Sequence, residues 1–270
     1  MPFAYRKNLN YPDEVSKVVA HPFAATEGPI GLAHRGGGRE APENSRTAFT
    51  NAAGIGFNYF ETDVRATSDG KVMVFHDANL NRVTDRVGRI SALPYSEVRR
   101  AKVGGADRIM RLEELLEEFD DKFINIDVKD DHTVEPFIRL VKQKKVADRI
   151  CVGSFSALRV RAIRSALGST AASALTAPEV ASLMAASRMG PFRRFAELAL
   201  PRNAQCVQVP VSQSGVPIVT KSFVDTAHKR GLVVHVWTID DEPTMTRLLE
   251  MGVDGIVTDQ IDYLTATDED

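Results

Sequence analysis

Strand-like and helix-like stretches alternate along this chain, and that order narrows the choice of fold more than composition does. Short apolar or alternating runs fall at 30–34, 59–66, 123–128, 149–153, 171–175, 206–210, 232–238 and 255–258. A further extended piece at 71–75 follows the turn Ser68-Asp69-Gly70. Between them lie runs with helical spacing. Leu112, Leu115, Leu116 and Phe119 recur at intervals of three and four, and Phe137, Ile138 and Val141 form the apolar stripe of 133–145. Asn44 is placed to cap a helix over 45–54, Pro178-Glu179 to open another, and Gly252 to stop the one over 243–251. Helices over 156–166 and 221–230 complete the series. About eight strands with crossover helices, over ~250 residues, is the pattern of a (β/α)8 TIM-type barrel, and a doubly wound open sheet is the alternative.

The placing of polar residues favours the barrel. His34, Asp63, Asp127, Lys129, Ser154, Gln208, Trp237, Thr238 and Asp259 all lie at or just past the C-terminal end of an expected strand. A barrel gathers those ends on one rim and builds its active site there. The stretch 76–108 is too long for an ordinary strand-to-helix loop and is expected to be a small insertion over that rim. Residues 1–28 read as an N-terminal extension to a single domain over 29–265.

Size and charge exclude several classes. A chain of 270 residues with 43% hydrophobic and 26% charged residues is globular. A net charge of -2 offers no electrostatic case for nucleic acid or an anionic membrane, since neither attraction works without a basic surface. The first twenty residues are broken by Pro2, Pro12 and several charges, so no secretory signal is expected. No apolar run approaches the ~18 residues that span a bilayer. A soluble, cytoplasmic monomer or small homo-oligomer is the expectation. Cys151 and Cys206 each sit in an apolar run and are expected to be buried thiols.

Chemistry enters with Glu61 and Asp63. Two residues apart on one strand, they point the same way, and like charges on one buried face need a cation between them. That is a metal site in outline. Gly36-Gly37-Gly38 lacks the Lys-Ser/Thr pair of a phosphate loop and reads as a rim turn.

The pieces His34-Arg35-Gly36, Ala41-Pro42-Glu43-Asn44-Ser45, Glu61-Thr62-Asp63-Val64-Arg65, Val74-Phe75-His76-Asp77 and Ile126-Asp127-Val128-Lys129 follow one another in order. Gly153-Ser154-Phe155, Val236-Trp237-Thr238-Ile239 and the run from Gly252 to Asp259 continue the series. Together they resemble the glycerophosphodiester phosphodiesterase family over residues 30–260. The resemblance implies a TIM-type barrel and hydrolysis of glycerophosphodiesters to glycerol 3-phosphate and an alcohol, aided by a divalent cation. It implies His34 and His76 as the acid–base pair, and Glu61, Asp63 and Asp127 as ligands of Ca2+ or Mg2+. Arg35 and Lys129 have the chemistry to hold phosphate oxygens. Trp237 is either barrel packing or a wall of the pocket.

This chain departs from the family pattern at several points. Asp127 stands where a glutamate is usual, shorter by one methylene, a change calcium tolerates better than magnesium. Ser45 replaces a threonine, Asp240 an asparagine, and Met110-Arg111-Leu112 a Pro-Thr-Leu run. Competing readings remain beside these roles. Asp127 could simply pair with Lys129, Glu61 and Asp63 could be a solvated face partnered by Arg65, and Arg35 could hold a carboxylate. A lysophospholipase D, or a sphingomyelinase D-like lyase that stops at a cyclic phosphate, is the alternative enzyme. A non-catalytic phosphate-binding barrel is the third reading. Residues 188–200 have the apolar and arginine content of an amphipathic helix, for packing or weak lipid contact.

Overall fold

In the computed structural model, which describes residues 21–26, 28–188, 200–201 and 203–264, parallel pairing carries the chain round a circle. The strands are β1 (Ile30–Ala33), β2 (Tyr59–Ala66), β3 (Phe123–Val128), β4 (Ile150–Gly153), β5 (Ala172–Ser173), β6 (Cys206–Val209), β7 (Val233–Val236) and β8 (Gly255–Thr258). Each pairs in parallel with the next, and β8 returns to β1 with Ile30 opposite Gly255 and Ala33 opposite Thr258. Between β5 and β6 the joint is a single bridge, Ala174 to Cys206, flanked by the bonds from Leu175 N–H to the Cys206 carbonyl and from Gln205 N–H to the Ser173 carbonyl. That is the thinnest joint of the barrel. The open doubly wound sheet is excluded.

Strands closed into a barrel and covered by helices are apolar on both faces, which is why they read as near-continuous hydrophobic runs. The outward faces pack under helices α1 (Arg46–Gly54), α2 (Leu112–Glu118), α3 (Asp131–Lys144), α4 (Ala157–Leu167), α5 (Ala177–Arg188), α6 (Lys221–Lys229) and α7 (Glu242–Glu250) in the largest core cluster. A second cluster joins Leu32, Tyr59, Cys151, Cys206, Val233 and Val257, and Phe23 is buried in its midst with its ring against Tyr59 and Phe123. The segment before β1, expected as part of an extension, thus contributes a core side chain through Phe23. Cys151 and Cys206 are free buried thiols, as expected.

The extended piece at 71–75 finds its partner, and one helix cap differs from expectation. The extended piece after the Ser68-Asp69-Gly70 turn, Val72–Val74, pairs antiparallel with β2 and is not a barrel strand. A two-stranded turn costs fewer residues than a crossover, and the apolar content alone does not distinguish the two. Helix α1 is capped by Ser45, whose Oγ accepts from Ala48 N–H, and not by Asn44. The insertion that follows β2 has its own core of Met73, Phe75, Leu80, Ile90, Val98, Val103 and Ile109. Most of the amphipathic stretch 188–200 lies outside the described residues. Among the described residues, no helix is long and apolar enough to cross a membrane.

Candidate active site

The sharp turn after β1 builds the first half of the site. Arg35 adopts φ 51°, ψ 30°, a left-handed conformation rare for a side-chain-bearing residue, and Gly36 follows at φ 84°. A Cβ on Gly36 would lie 2.9 Å from both the Ala48 Cβ and the Phe49 nitrogen, so the turn packs on α1 only because this residue is glycine. The strained backbone aims the Arg35 N–H at Glu61 Oε2 (3.2 Å), while its guanidinium spans Glu43 Oε1 (2.9 Å) and Asp63 Oδ2 (3.0 Å).

Asn44, also left-handed at φ 58°, donates from Nδ2 to Asp63 Oδ2 (3.0 Å) and accepts from Thr62 Oγ1 (2.7 Å). The sequence predicts a helix cap at this residue, but Ser45 fills that place. The actual work of Asn44, orienting a buried carboxylate, is done from outside the helix.

Glu61 and Asp63 do share one buried face, as their spacing predicted, but they meet different neighbours. Burial, then the Asp63 charge, pushes the Glu61 carboxyl up to about 7. Burial would raise Asp63 too, but the Lys129 ammonium and then Arg35 hold it below the ordinary carboxylate value. Lys129 Nζ stands 2.6 Å from Asp63 Oδ1 and 2.6 Å from Asp127 Oδ2, on the two residues that β2 and β3 place opposite each other. Burial would lower the Lys129 pKa, but these carboxylates raise it above its usual value.

As the side chains stand, no three His, Cys, Asp or Glu among the described residues converge as a metal cage. Lys129 supplies the positive charge between two of the three expected ligands. The donor set still fits a hard cation: three carboxylates on neighbouring strands, with Asp127 Oδ1 buried and lacking any hydrogen-bond partner.

Both expected histidines lie at this rim, each with Nδ1 on a carboxylate. His34 Nδ1 is 2.9 Å from Asp259 Oδ1, just past β8, and its Nε2 is 3.8 Å from Glu61 Oε2. Burial would lower the His34 pKa, but the Asp259 hydrogen bond, then the Glu61 and Asp259 charges, raise it above the ordinary value. His76 Nδ1 is 2.6 Å from Asp77 Oδ1. An ionised carboxylate only accepts, so each Nδ1 carries the proton and each Nε2 is left for exchange.

Arg82, from the insertion, grips Asp77 at 2.6 and 2.9 Å and Glu43 at 2.6 and 2.8 Å. It thereby joins the His76 pair to the Arg35–Asp63 pair. Glu43 and Arg82 also wall a cleft of about 550 Å³ with Gly38, Pro42, Thr84 and Gly104. Trp237, half-buried past β7, meets the Phe155 ring edge-on at 5.9 Å, and Phe155 has Lys129 Nζ 5.6 Å from its centroid. Arg65 does not partner Glu61 or Asp63; it pairs with Asp130 (2.9 Å) and donates to the His76 carbonyl.

Asp259, Asp77, Glu43, Asn44 and Arg82 join the site without being among the residues the sequence predicts for it. Asp259 and Asp77 carried a signal, one at a strand end and one beside a candidate histidine. Arg82 carried none, because one partner, Asp77, lies five residues away in irregular backbone and the other, Glu43, 39 residues away.

A comparison with known families decides the relationship. The glycerophosphoryl diester phosphodiesterase family profile matches residues 34–263. The chain belongs to that family. It is therefore an enzyme, a phosphoric diester hydrolase. Among its relatives is a probable glycerophosphodiester phosphodiesterase 2 from Mycobacterium tuberculosis, 37% identical over 243 residues that span 90% of this chain and 91% of the relative. A lysophospholipase D from Rattus norvegicus is 29% identical, covering 84% of this chain and 82% of its own. A phosphodiesterase from Oleispira antarctica, solved with the product sn-glycerol 3-phosphate, shares the fold at TM-score 0.72 and 22% identity, with 88% and 96% of the two chains covered. As a member of the family, the chain carries at its rim the arginine, lysine, carboxylate and histidine groups described above.

Proposed function

We propose that this protein hydrolyses small glycerophosphodiesters to sn-glycerol 3-phosphate and an alcohol, with His34 and His76 as the proton-carrying pair. The observation that carries this reading is the matched pair of imidazoles, each held through Nδ1 by its own carboxylate, around a buried cationic and carboxylate cluster.

A phosphodiester anion repels nucleophiles and expels an alkoxide poorly. Arg35 and Lys129 supply positive charge for the non-bridging oxygens, exchanging carboxylate partners for phosphate as they do so. One histidine accepts the proton of the attacking hydroxyl, from water or from the neighbouring glycerol oxygen. The other donates to the departing alcohol oxygen as the P–O bond breaks. Glu61, Asp63 and Asp127 are the residues that would hold a divalent cation, and such a cation would neutralise phosphoryl charge and orient the glycerol hydroxyl. Asp127, with its shorter reach, makes calcium the better fit. Phe155, 75% exposed beside Trp237, gives a lysophospholipid its one point of support as a second substrate class, a place for an alkyl chain.

The test is release of glycerol 3-phosphate from glycerophosphocholine, with calcium, magnesium or EDTA, by the parent protein and by His34→Ala. Metal-dependent release that the substitution abolishes supports the reading. Release unaffected by EDTA removes the cation from it. No release from any soluble glycerophosphodiester, with turnover of lysophosphatidylcholine instead, moves the substrate to the second class. Accumulation of a cyclic phosphate assigns the lyase chemistry.

A further inference from the structure

The rim insertion carries a charge arrangement that the active site does not use. Its two-stranded ribbon, Lys102–Val103 with Asp107–Arg108, sets Lys102 directly opposite Arg108. Cross-strand partners project to the same face, so two cations stand side by side where a like-charged pair is destabilising. Arg99 and Arg100 close the same face. With Ser96 these four line a cleft of about 410 Å³, and among the described residues no carboxylate belongs to its lining.

The acids nearby are turned to other work. Asp85 accepts from the Lys102 backbone N–H at 2.8 Å, and Asp107 from the Thr47 N–H at 3.1 Å. Among the described residues, Glu97 pairs only with Arg100, at 3.2 Å. Lys102 and Arg108 have no ion pair among the described residues, and Arg99 rests over the Tyr95 ring at 5.9 Å. The backbone beneath is tied down, since Arg86 Nε donates to the Arg100 carbonyl at 3.2 Å. The excursion is net positive inside a chain of net charge -2, so the clustering is local and not a reflection of overall composition. None of these four side chains pairs with His34, His76, Glu61, Asp63 or Asp127 among the described residues.

We infer that this cleft is an anion site separate from the catalytic centre, built to take a phosphate group on Arg99, Arg100, Lys102 and Arg108. Guanidinium forks and an ammonium around one concavity match the tetrahedral oxygens of phosphate, and a bound dianion removes the Lys102–Arg108 repulsion. The phosphate has two sources of the same chemistry: the headgroup of an anionic phospholipid, or phosphate free in solution.

The experiment compares the full-length parent with K102Q/R108Q. Calorimetric titration with inorganic phosphate is expected to show a binding event beyond any at the catalytic centre. That event weakens on the order of thirtyfold in the variant, which has lost two of the four cations. Glycerophosphocholine turnover stays at the parent level. The unliganded variant melts no lower than the parent, because the like-charge contact is gone, and phosphate raises the melting temperature of the parent more than that of the variant.

A vesicle arm separates the sources. Sedimentation with phosphatidylglycerol vesicles but not phosphatidylcholine ones, lost in the variant and displaced by phosphate, assigns the lipid headgroup. Phosphate binding without vesicle binding assigns the free anion. Phosphate titration and vesicle partition both unchanged in the folded variant overturn the inference. Should K102Q/R108Q fail to fold, Arg99→Gln carries the same comparison, and unchanged phosphate binding there overturns it equally.

Discussion

His34 sits at the mouth of β1 with its Nδ1 on Asp259, 225 residues further along the chain, whereas His76 leans on the very next residue, Asp77. The first pair is held by barrel architecture: β1 and β8 run side by side over four register positions, and their ends deliver both side chains to one place. The second pair is held by a hydrogen bond between sequence neighbours and by Arg82, itself 49% exposed and carried on the insertion. His34 is 18% exposed and His76 35%, so water competes for the second imidazole far more than for the first. One side of the site is therefore rigid by construction, and the other is only as ordered as the insertion that brings Arg82 to it.

Replacing either histidine is expected to have the largest effect and to treat the two sides alike. His34→Ala and His76→Ala should each lower kcat by about 10²- to 10⁴-fold against glycerophosphocholine. Near-parent turnover by His76→Ala would leave the insertion side without a catalytic group.

Removing the orienting carboxylates should separate the sides. Asp259→Asn is expected to cost roughly a hundredfold in kcat, because a buried imidazole has no substitute partner, and Asp77→Asn roughly tenfold, because water replaces it. Equal losses would erase the distinction between a rigid and a supported histidine.

Arg82→Ala should cost less, within about fivefold in turnover, since exposed ion pairs are worth up to ~1 kcal/mol and salt weakens them. It should also quicken proteolysis of the insertion at Arg86 and Arg89, and leave cleavage of the barrel unchanged. Faster cleavage in the barrel itself would show that Arg82 supports more than the insertion.

The smallest effect concerns acid. The Arg82 hydrogen bonds, with the His76 bond and against partial burial, hold the Asp77 carboxyl far below the usual range. A depressed folded-state pKa contributes stability that is present above the unfolded value and lost as pH falls through the folded one. The Asp77 lock should therefore persist well below pH ~4, the ordinary aspartate value. In Arg82→Ala, local opening of the insertion should move up toward that value. Hydrogen exchange at Asn79–Ile90 amides across pH checks it, and an unchanged midpoint would sink the role given to Arg82.

The same contrast explains what could be read from the chain. Glu61 and Asp63 were legible because a strand has period two, and their common buried face follows from spacing alone. His34 was legible as a strand-end residue, and Asp259 as another, but their contact depends on barrel closure, which local pattern does not encode. Asn44 was misread because its side chain suits a helix cap equally well; only the left-handed backbone, with Ser45 capping instead, turns it to Asp63. Lys129 was read as a phosphate ligand or an Asp127 partner, and it also clamps Asp63 across the β2–β3 pairing. The antiparallel strand Val72–Val74 was indistinguishable by composition from a parallel one. Phe23 gave no signal, because a lone aromatic outside any periodic run does not announce the cavity it fills.

By itself, then, the order of residues determined the alternation of strands and helices, the barrel, the common face of Glu61 and Asp63, and the rim as the place of the polar groups. These follow from periodicity and strand direction, which are local properties. Tertiary structure decided which partner each polar group meets: Asp259 for His34, Arg82 for Asp77 and Glu43, Lys129 for two aspartates at once. Those pairings join residues tens to hundreds of positions apart, and the distance between them is set by how the barrel closes and how the insertion folds over it.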